Sequence, residues 1–285
     1  MQIKLTKVKA DYQLGPIRTK NVIDDVSLEI ESGTFTAIVG PTGAGKSSLL
    51  KLINGLLVPT SGKVRVGHLD ITKTDNQAEL NKIRKRVGMV FQFPENQLFA
   101  ETVEEDIAFG PRNFGFSDEQ VKESVQESLQ QVGLTKEILQ RSPFTLSGGQ
   151  QRRVALAGVL ATKPDVLVLD EPGAGLDPVS KNQILSFIFE LNREEEITVL
   201  LVTHDMNDVA QYADQVMVMD RGKVITCQPT RDFFSKPDLL SKWALDLPDV
   251  VRLKQTIEIK NNITLPKVSL TKDELIDQLI EAELL

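Results

Sequence analysis

Nine consecutive residues, Gly40-Pro41-Thr42-Gly43-Ala44-Gly45-Lys46-Ser47-Ser48, lie between a short apolar run and a helical pattern and are suited to hold an anion. Glycines at 40, 43 and 45 let the backbone turn tightly and approach a phosphate with no Cβ in the way. Successive N–H groups and the positive end of the following helix supply the donors. The spacing is G-x-x-x-x-G-K-[ST], which sends Lys46 to the β- and γ-phosphates of ATP and the Ser47 hydroxyl to Mg²⁺. Nucleotide binding follows, but many functions remain open.

A second glycine-rich element, Leu146-Ser147-Gly148-Gly149-Gln150, runs directly into the helical pattern QRRVALAGVL. Ser147 is a good N-cap, and Gly148 and Gly149 leave donors unobstructed at a positive helix end. One ATP has one γ-phosphate, already contacted from one side by its own loop, so a second cradle within the chain is redundant. Offered to a partner's nucleotide, it makes sense. The plainer alternative is an exposed N-cap with flexible glycines.

Asp170 and Glu171 end the apolar run Val166 to Leu169, at the carboxyl end of a buried strand, where open α/β sheets bind ligands. Asp170 suits Mg²⁺, held through water, and Glu171 suits the proton of an attacking water; phosphoryl transfer needs such positioning more than covalent chemistry. Asp177 sits in the tight turn Ala174 to Pro178. His204 follows the run Thr198 to Thr203 at another strand's carboxyl end, as a sensor of the γ-phosphate. Gln92 closes the strand Val87 to Phe91 and is placed to sense Mg²⁺ and the attacking water. His68, among Gly67 and Asp70, reads as surface without function.

The elements that must position these residues alternate between strand and helix. Continuous apolar runs at Phe35 to Val39 and Val166 to Leu169 suit central strands of a parallel sheet covered on both faces. Near-alternation in Ile3, Leu5, Val8 and in Val26, Leu28, Ile30 suits strands with one buried face. Helical periodicity covers Ser48 to Leu57, Asp118 to Val132, Gln151 to Leu160, Lys181 to Glu195 and Met206 to Ala213, and a polar-capped helix starts near Thr271. The regular pattern fades near residue 230. The chain of 285 residues carries a net charge of −7, which argues against gripping nucleic acid by phosphate neutralisation. Its one cysteine, Cys227, excludes an internal disulfide framework and suits a reducing cytoplasm. No window approaches the roughly eighteen apolar residues of a membrane span, so other chains must supply any spanning helices.

The order of the loop at 40–48, Gln92, LSGGQ, Asp170-Glu171, the Asp177 turn and His204 resembles the ATP-binding subunits of ABC transporters over residues 1–229. The resemblance implies an α/β P-loop nucleotide-binding domain with a helical subdomain at about 93–160. It also implies that Tyr12 stacks on adenine, that Ser147, Gly148, Gly149 and Gln150 contact ATP held by a partner ATPase, and that Asp177 lies at the dimer seam.

A finer resemblance follows Gln92, in FQFPENQLFAETVEEDIAFGPRNFG, and in QRSPFTLSGGQ. Both are similar to the A component of energy-coupling factor transporters, more the second of its two ATPase types than the first. The tail, with ALDLPDVVRL and TKDELIDQL, is similar too, so 230–285 is expected to be a small helical extension that helps hold two ATPases together. The resemblance implies a heterodimer of ATPases on the cytoplasmic face of the membrane. It also implies a transmembrane T component, whose coupling helix meets Pro94, Glu95, Asn96, Gln97, Leu98 and Phe99, and an S component that binds a vitamin or metal ion. Gly173 departs from the family's usual Thr or Ser and is expected to matter little. Rival readings are the ATPase of a conventional ABC importer, a soluble ABC ATPase and a non-hydrolysing regulatory subunit. Soluble ABC ATPases usually carry two cassettes or a coiled-coil insertion, absent here. The regulatory reading conflicts with the presence of Lys46, Asp170, Glu171 and His204.

Overall fold

The continuous apolar runs are strands buried on both faces. Val166 and Val168 enter one hydrophobic core and Leu167 and Leu169 another; Leu200 and Val202 oppose Val199 and Leu201 in the same way. The computed structural model describes residues 1–14, 17–74, 76–236, 240, 242–243 and 245–284. Its strands are β1 (Ile3–Leu14), β2 (Ile17–Ile30), β3 (Phe35–Val39), β4 (Ser61–Val66), β5 (Leu69–Ile71), β6 (Val87–Val90), β7 (Val166–Asp170), β8 (Thr198–Val202), β9 (Gln215–Asp220) and β10 (Lys223–Pro229). Its α-helices are α1 (Lys46–Ile53), α2 (Gln77–Arg86), α3 (Val103–Asn113), α4 (Asp118–Gln131), α5 (Gly148–Leu160), α6 (Pro178–Glu195), α7 (Met206–Tyr212), α8 (Thr230–Phe234), α9 (Asp249–Asn261) and α10 (Lys272–Glu281).

One sheet has the order β10-β9-β3-β8-β7-β6, parallel from β9 to β6 with β10 antiparallel at its edge. The second, β2-β1-β4-β5, is antiparallel. Ile3, Leu5, Val64 and Val66 from the antiparallel sheet share a core with Leu49, Leu50 and Ile53 of α1 and with one face of the parallel sheet. The other face is covered by side chains of α3, α4, α5 and α6, including Ile107, Val125, Leu156 and Ile188.

Several boundaries depart from the sequence expectation for identifiable reasons. The helix expected at 48–57 runs Lys46–Ile53, entered through Gly45 at φ 100° and left at Gly55, φ 74°. The helix expected from Lys181 starts at Pro178, because Asp177 caps it and proline suits the first turn. β1 and β2 extend well beyond the alternating stretches. Register shifts between Leu5 and Tyr12, with Lys7 at φ 48°, break the period of two. Within the tract after Tyr12, Gly15 and Pro16 lie outside the described residues, as do 237–239, 241, 244 and 285 of the expected extension.

The C-terminal helices do not stand apart. Phe233, Phe234, Val251, Leu275 and Leu279 join the same core as Val199 and Leu201, and Phe233 stacks on Trp243 at 6.3 Å. Thr271 caps α10 by accepting from Glu274 N. The Glu274 carboxylate does not complete a capping box; it pairs with Arg231 and accepts from Leu270 N. Among the described residues, no helix is long and apolar enough to cross a membrane.

Candidate active site

The phosphate-type loop connects β3 to α1 and is pressed against two other strands. A Cβ on Gly40 would lie 2.0 Å from Met219 O, and one on Gly45 would lie 2.5 Å from Val22 O. Both glycines also have positive φ, so the loop can pass this close only without side chains. The Gly222 N–H donates to Ala44 O at 2.9 Å, bracing the loop on the β9–β10 turn. Lys46 Nζ donates to Gly40 O at 2.7 Å and Pro41 O at 3.0 Å. Burial lowers the Lys46 pKa, against the pull of Glu171 and Asp170.

Four neighbouring parallel strands deliver the chemistry to one edge. β3 leads into the loop, β6 into Gln92, β7 ends in Asp170 with Glu171 next, and β8 leads to His204. Glu171 is the meeting point: Gln92 Nε2 donates to its Oε2 at 3.3 Å, and His204 Nδ1 lies 3.4 Å from its Oε1. Glu171 has φ 49°, a left-handed conformation that costs a non-glycine residue about 1–2 kcal/mol. Its N–H donates to Val202 O at 3.0 Å, and its carbonyl accepts from Ala174 N at 3.0 Å, which holds that conformation. Asp170 has its carboxyl pKa raised by burial, with the charge of Glu171 adding to the rise and a Ser47 hydrogen bond opposing it. A half-buried carboxylate and a hydroxyl beside a second carboxylate form a donor set that fits a hard divalent cation.

Lys46, Ser47, Gln92, Asp170 and Glu171 line a cleft of about 610 Å³ with Tyr12, Thr42, Gly43, Ala44, Gly45 and Ser48, whereas His204 stands outside this lining and reaches it through Glu171. Tyr12 sits near the end of the β1–β2 hairpin, opposite Thr19, with Lys51 Nζ 5.2 Å from its ring centroid. Thr19, Val22, Lys51 and Val202 also line the cleft and carried no signal in the sequence.

The second glycine cradle is elsewhere. Ser147 accepts from Gln150 N and Gln150 Oε1 accepts from Ser147 N, a complete capping box on α5. Cβ atoms added to Gly148 or Gly149 would meet nothing within 4 Å, and none of 147–150 lines the cleft. Asp177 accepts from Val179 N and Ser180 N, each at 3.0 Å, capping α6. His68 lies at the turn between β4 and β5.

The stretch 94–99 divides. Pro94 and Leu98 are buried, Glu95 is bound by Arg152, and Asn96, Gln97 and Phe99 face outward. Phe99 meets Phe109 of α3 edge to face at 4.8 Å, and both rings are more than half exposed, at 59% and 51%. Phe109 was not singled out from sequence. Neither was Arg152, the buried partner of Glu95.

Comparison with known proteins identifies the family. Residues 23–174, more than half of the chain, match the ABC transporter family. A Listeria welshimeri protein named energy-coupling factor transporter ATP-binding protein EcfA2 is 49% identical over 98% of this chain and 97% of its own length. A Bacillus thuringiensis protein of the same name is 46% identical over 99% and 96%. The solved structure of cbiO1 from Clostridium perfringens, described as part of the ABC transporter complex cbiONQ, superposes with a TM-score of 0.72 at 33% identity, covering 90% of this chain and 98% of that one. A dimeric, post-hydrolysis cassette MJ0796 bound to ADP and Pi gives 0.71 at 32% identity, covering 80% and 99%. The chain therefore belongs to the ABC transporter family, among the ATP-binding proteins of energy-coupling factor transporters.

Proposed function

We propose that this chain hydrolyses ATP while closed against a second ATPase subunit, and that closure drives uptake of a vitamin or metal ion through an energy-coupling factor transporter. The observation that carries this reading is the separation of two anion cradles. One is grouped with Gln92 and Glu171 at the cleft, with His204 against Glu171, and the other opens to solvent at the start of α5. A partner's triphosphate is the occupant that uses the second cradle: Ser147, Gly148, Gly149 and Gln150 then contact it, with Asp177 at the seam. The dimeric state of the MJ0796 cassette supports this.

In the working site, Tyr12 stacks on adenine, residues 40–48 wrap the phosphates and Lys46 offsets their charge. Ser47 and Asp170 would hold Mg²⁺, with Gln92 beside it; the ion would supply charge compensation for the phosphates. Glu171 takes a proton from the attacking water onto its carboxylate. The water oxygen bonds to the γ-phosphorus as the bond to the bridging oxygen breaks, leaving ADP and phosphate. Gln92 and His204 hold Glu171 from its two oxygens.

The membrane side of the reading has the chain peripheral on the cytoplasmic face, with 230–285 contributing to dimerisation. A transmembrane T component docks at Asn96, Gln97 and Phe99, and an S component selects the solute. The exposed Phe99–Phe109 pair supports a docking surface there, since aromatic rings are favoured anchors at interfaces.

The test is to isolate the chain from membranes with its partners, identify the integral membrane protein, and measure ATP turnover by the assembly. Recovery with one hydrophobic T-type chain, a second ATPase and turnover is expected. Recovery with an ordinary permease pair would favour a conventional importer, and isolation with no membrane protein would overturn the reading.

A further inference from the structure

We propose that Lys181 is a positioning residue for His204, clamping the loop that presents the imidazole to Glu171. The inference rests on the role given above to His204.

His204 has an 81% exposed side chain whose recorded contact is Glu171 at 3.4 Å. So exposed a side chain gets little direction from packing, and its aim depends on the backbone either side. Both flanking residues are tied down by one network. Lys181 Nζ lies 2.5 Å from Asp205 Oδ2 and 2.8 Å from Asp208 Oδ2. Thr203 Oγ1 donates to Asp208 Oδ2 at 3.3 Å and accepts from Asp205 N at 3.1 Å. A closed ring thus runs from Lys181 through Asp208, Thr203 and Asp205 back to Lys181, and its Thr203–Asp205 bond spans His204.

The charges in the ring require the cation. Asp208 is almost fully buried, and burial raises its carboxyl pKa, with the charge of Asp205 adding to the rise. Without Lys181, two carboxylates would face each other with no cation between them; proton uptake at Asp208 or movement of the loop relieves this, and either loses the charged clamp on the residues that flank His204. An uncharged side chain of equal length fills the space but cannot hold them together.

Lys181 also reaches the loop from a significant place. It is in the first turn of α6, where its N–H donates to the Asp177 carbonyl at 3.0 Å. Its stem crosses Gly173, where a Cβ would stand 2.7 Å from Lys181 Cγ. Gly173 therefore leaves the room that the stem occupies. The helix that begins at the proposed seam is joined in this way to the loop that carries His204.

The experiment uses the full chain in its membrane complex, with Lys181→Met, Lys181→Arg, His204→Ala and the Lys181→Met/His204→Ala double variant. Lys181→Met should lower kcat for ATP roughly 10–100-fold, the usual loss when an orienting partner of a functional side chain is removed. KM for ATP should stay near the wild-type value, and Lys181→Arg should recover most of the rate. In the His204→Ala background, Lys181→Met should have little further effect, the mark of a residue acting through another. Independent, multiplying losses would overturn the inference, as would a rise in KM with kcat kept. An impaired His204→Ala beside an unimpaired Lys181→Met would overturn the inference alone, whereas an unimpaired His204→Ala would overturn the site reading beneath it. If Lys181→Met does not assemble, Gly173→Ala takes its place, since it crowds the stem and keeps the charge. Its kcat should fall with His204 present and not in the His204→Ala background, and any other pattern overturns the inference.

Discussion

Arg152 grips Glu95 through two parallel hydrogen bonds, Nε to Oε2 at 2.9 Å and Nη2 to Oε1 at 2.6 Å, from a position only 4% exposed. Its remaining nitrogen, Nη1, donates to Pro172 O at 3.1 Å and Ala174 O at 2.8 Å. One side chain thus joins the start of α5, the turn at 94–97 and the segment leaving Glu171. A guanidinium does this because its donors form a planar fork; an ammonium presents a point charge.

Arg152→Ala should therefore be severe. It leaves a partly buried carboxylate and two carbonyls without their donor, a loss of about 3–5 kcal/mol in a denaturant titration. Arg152→Lys keeps the charge and should still lose a large part of that. A lysine variant as stable as the parent would show that the fork geometry is dispensable.

Much of the site was legible because its signals are local. Lys46 and Ser47 follow a glycine pattern, and Asp170, Glu171 and His204 end apolar runs that can only be central strands. Ser147 and Thr271 act as the caps their spacing predicts. What the sequence hid depends on contacts between distant segments. Nothing around Arg152 shows that it is buried against Glu95, and nothing around Lys181 shows that it meets Asp205 and Asp208. The left-handed backbone of Glu171 is equally silent, since only bonds to β8 and Ala174 hold it. β1 and β2 were underestimated because bulges break the alternation on which strand recognition relies. α2 escaped notice because only Leu80 and Ile83 of its residues are buried.

Gly45→Ala should damage the cleft from behind. The new methyl would meet Val22 O at 2.5 Å, on a backbone at φ 100° that an alanine resists. Strain of about 1–3 kcal/mol is expected, released by displacement of the loop from β2. Equilibrium binding should find weaker ATP affinity together with a lower Tm. Unchanged affinity would mean that the loop tolerates retreat from Val22.

Phe99→Ala should separate transport from hydrolysis. The ring is mostly exposed and packs on Phe109, so its removal costs the isolated chain little, while a docking partner loses an aromatic anchor. Solute uptake by vesicles carrying the complex should fall while ATPase activity of the paired ATPase subunits, freed from the membrane chains, persists. Normal uptake would remove this surface from the coupling route.

Acid should loosen the C-terminal helices. The Arg231 guanidinium beside Glu274 holds its carboxyl pKa below the ordinary glutamate value, with backbone N–H donors contributing. A group whose pKa is depressed by folding adds stability above its unfolded pKa, and that stability is lost as pH falls through the folded value. Protection of α10 in hydrogen exchange should therefore decline as the medium passes below about pH 4.5. Solvent screening keeps the effect modest, because both side chains are more than a third exposed. Glu274→Gln should flatten the decline, and an unaltered pH profile in that variant would assign it to other groups.

Glu171→Gln isolates the proposed base. The amide has the same shape and can keep the φ 49° backbone, the link to Val202 O and a contact with Gln92, so the cleft should remain built. It also removes a negative charge beside Asp170, easing a repulsion that helps raise that carboxyl's pKa. ATP should therefore bind as well as before, or more tightly. What the amide cannot do is take a proton from water. Turnover should slow by ~10²–10⁴, the range for losing a positioned general base. Single-turnover phosphate release by the assembled complex separates the two effects. Tight binding with slow release identifies the carboxylate as the proton acceptor, and release near the parent's rate would move that role to another group at the cleft.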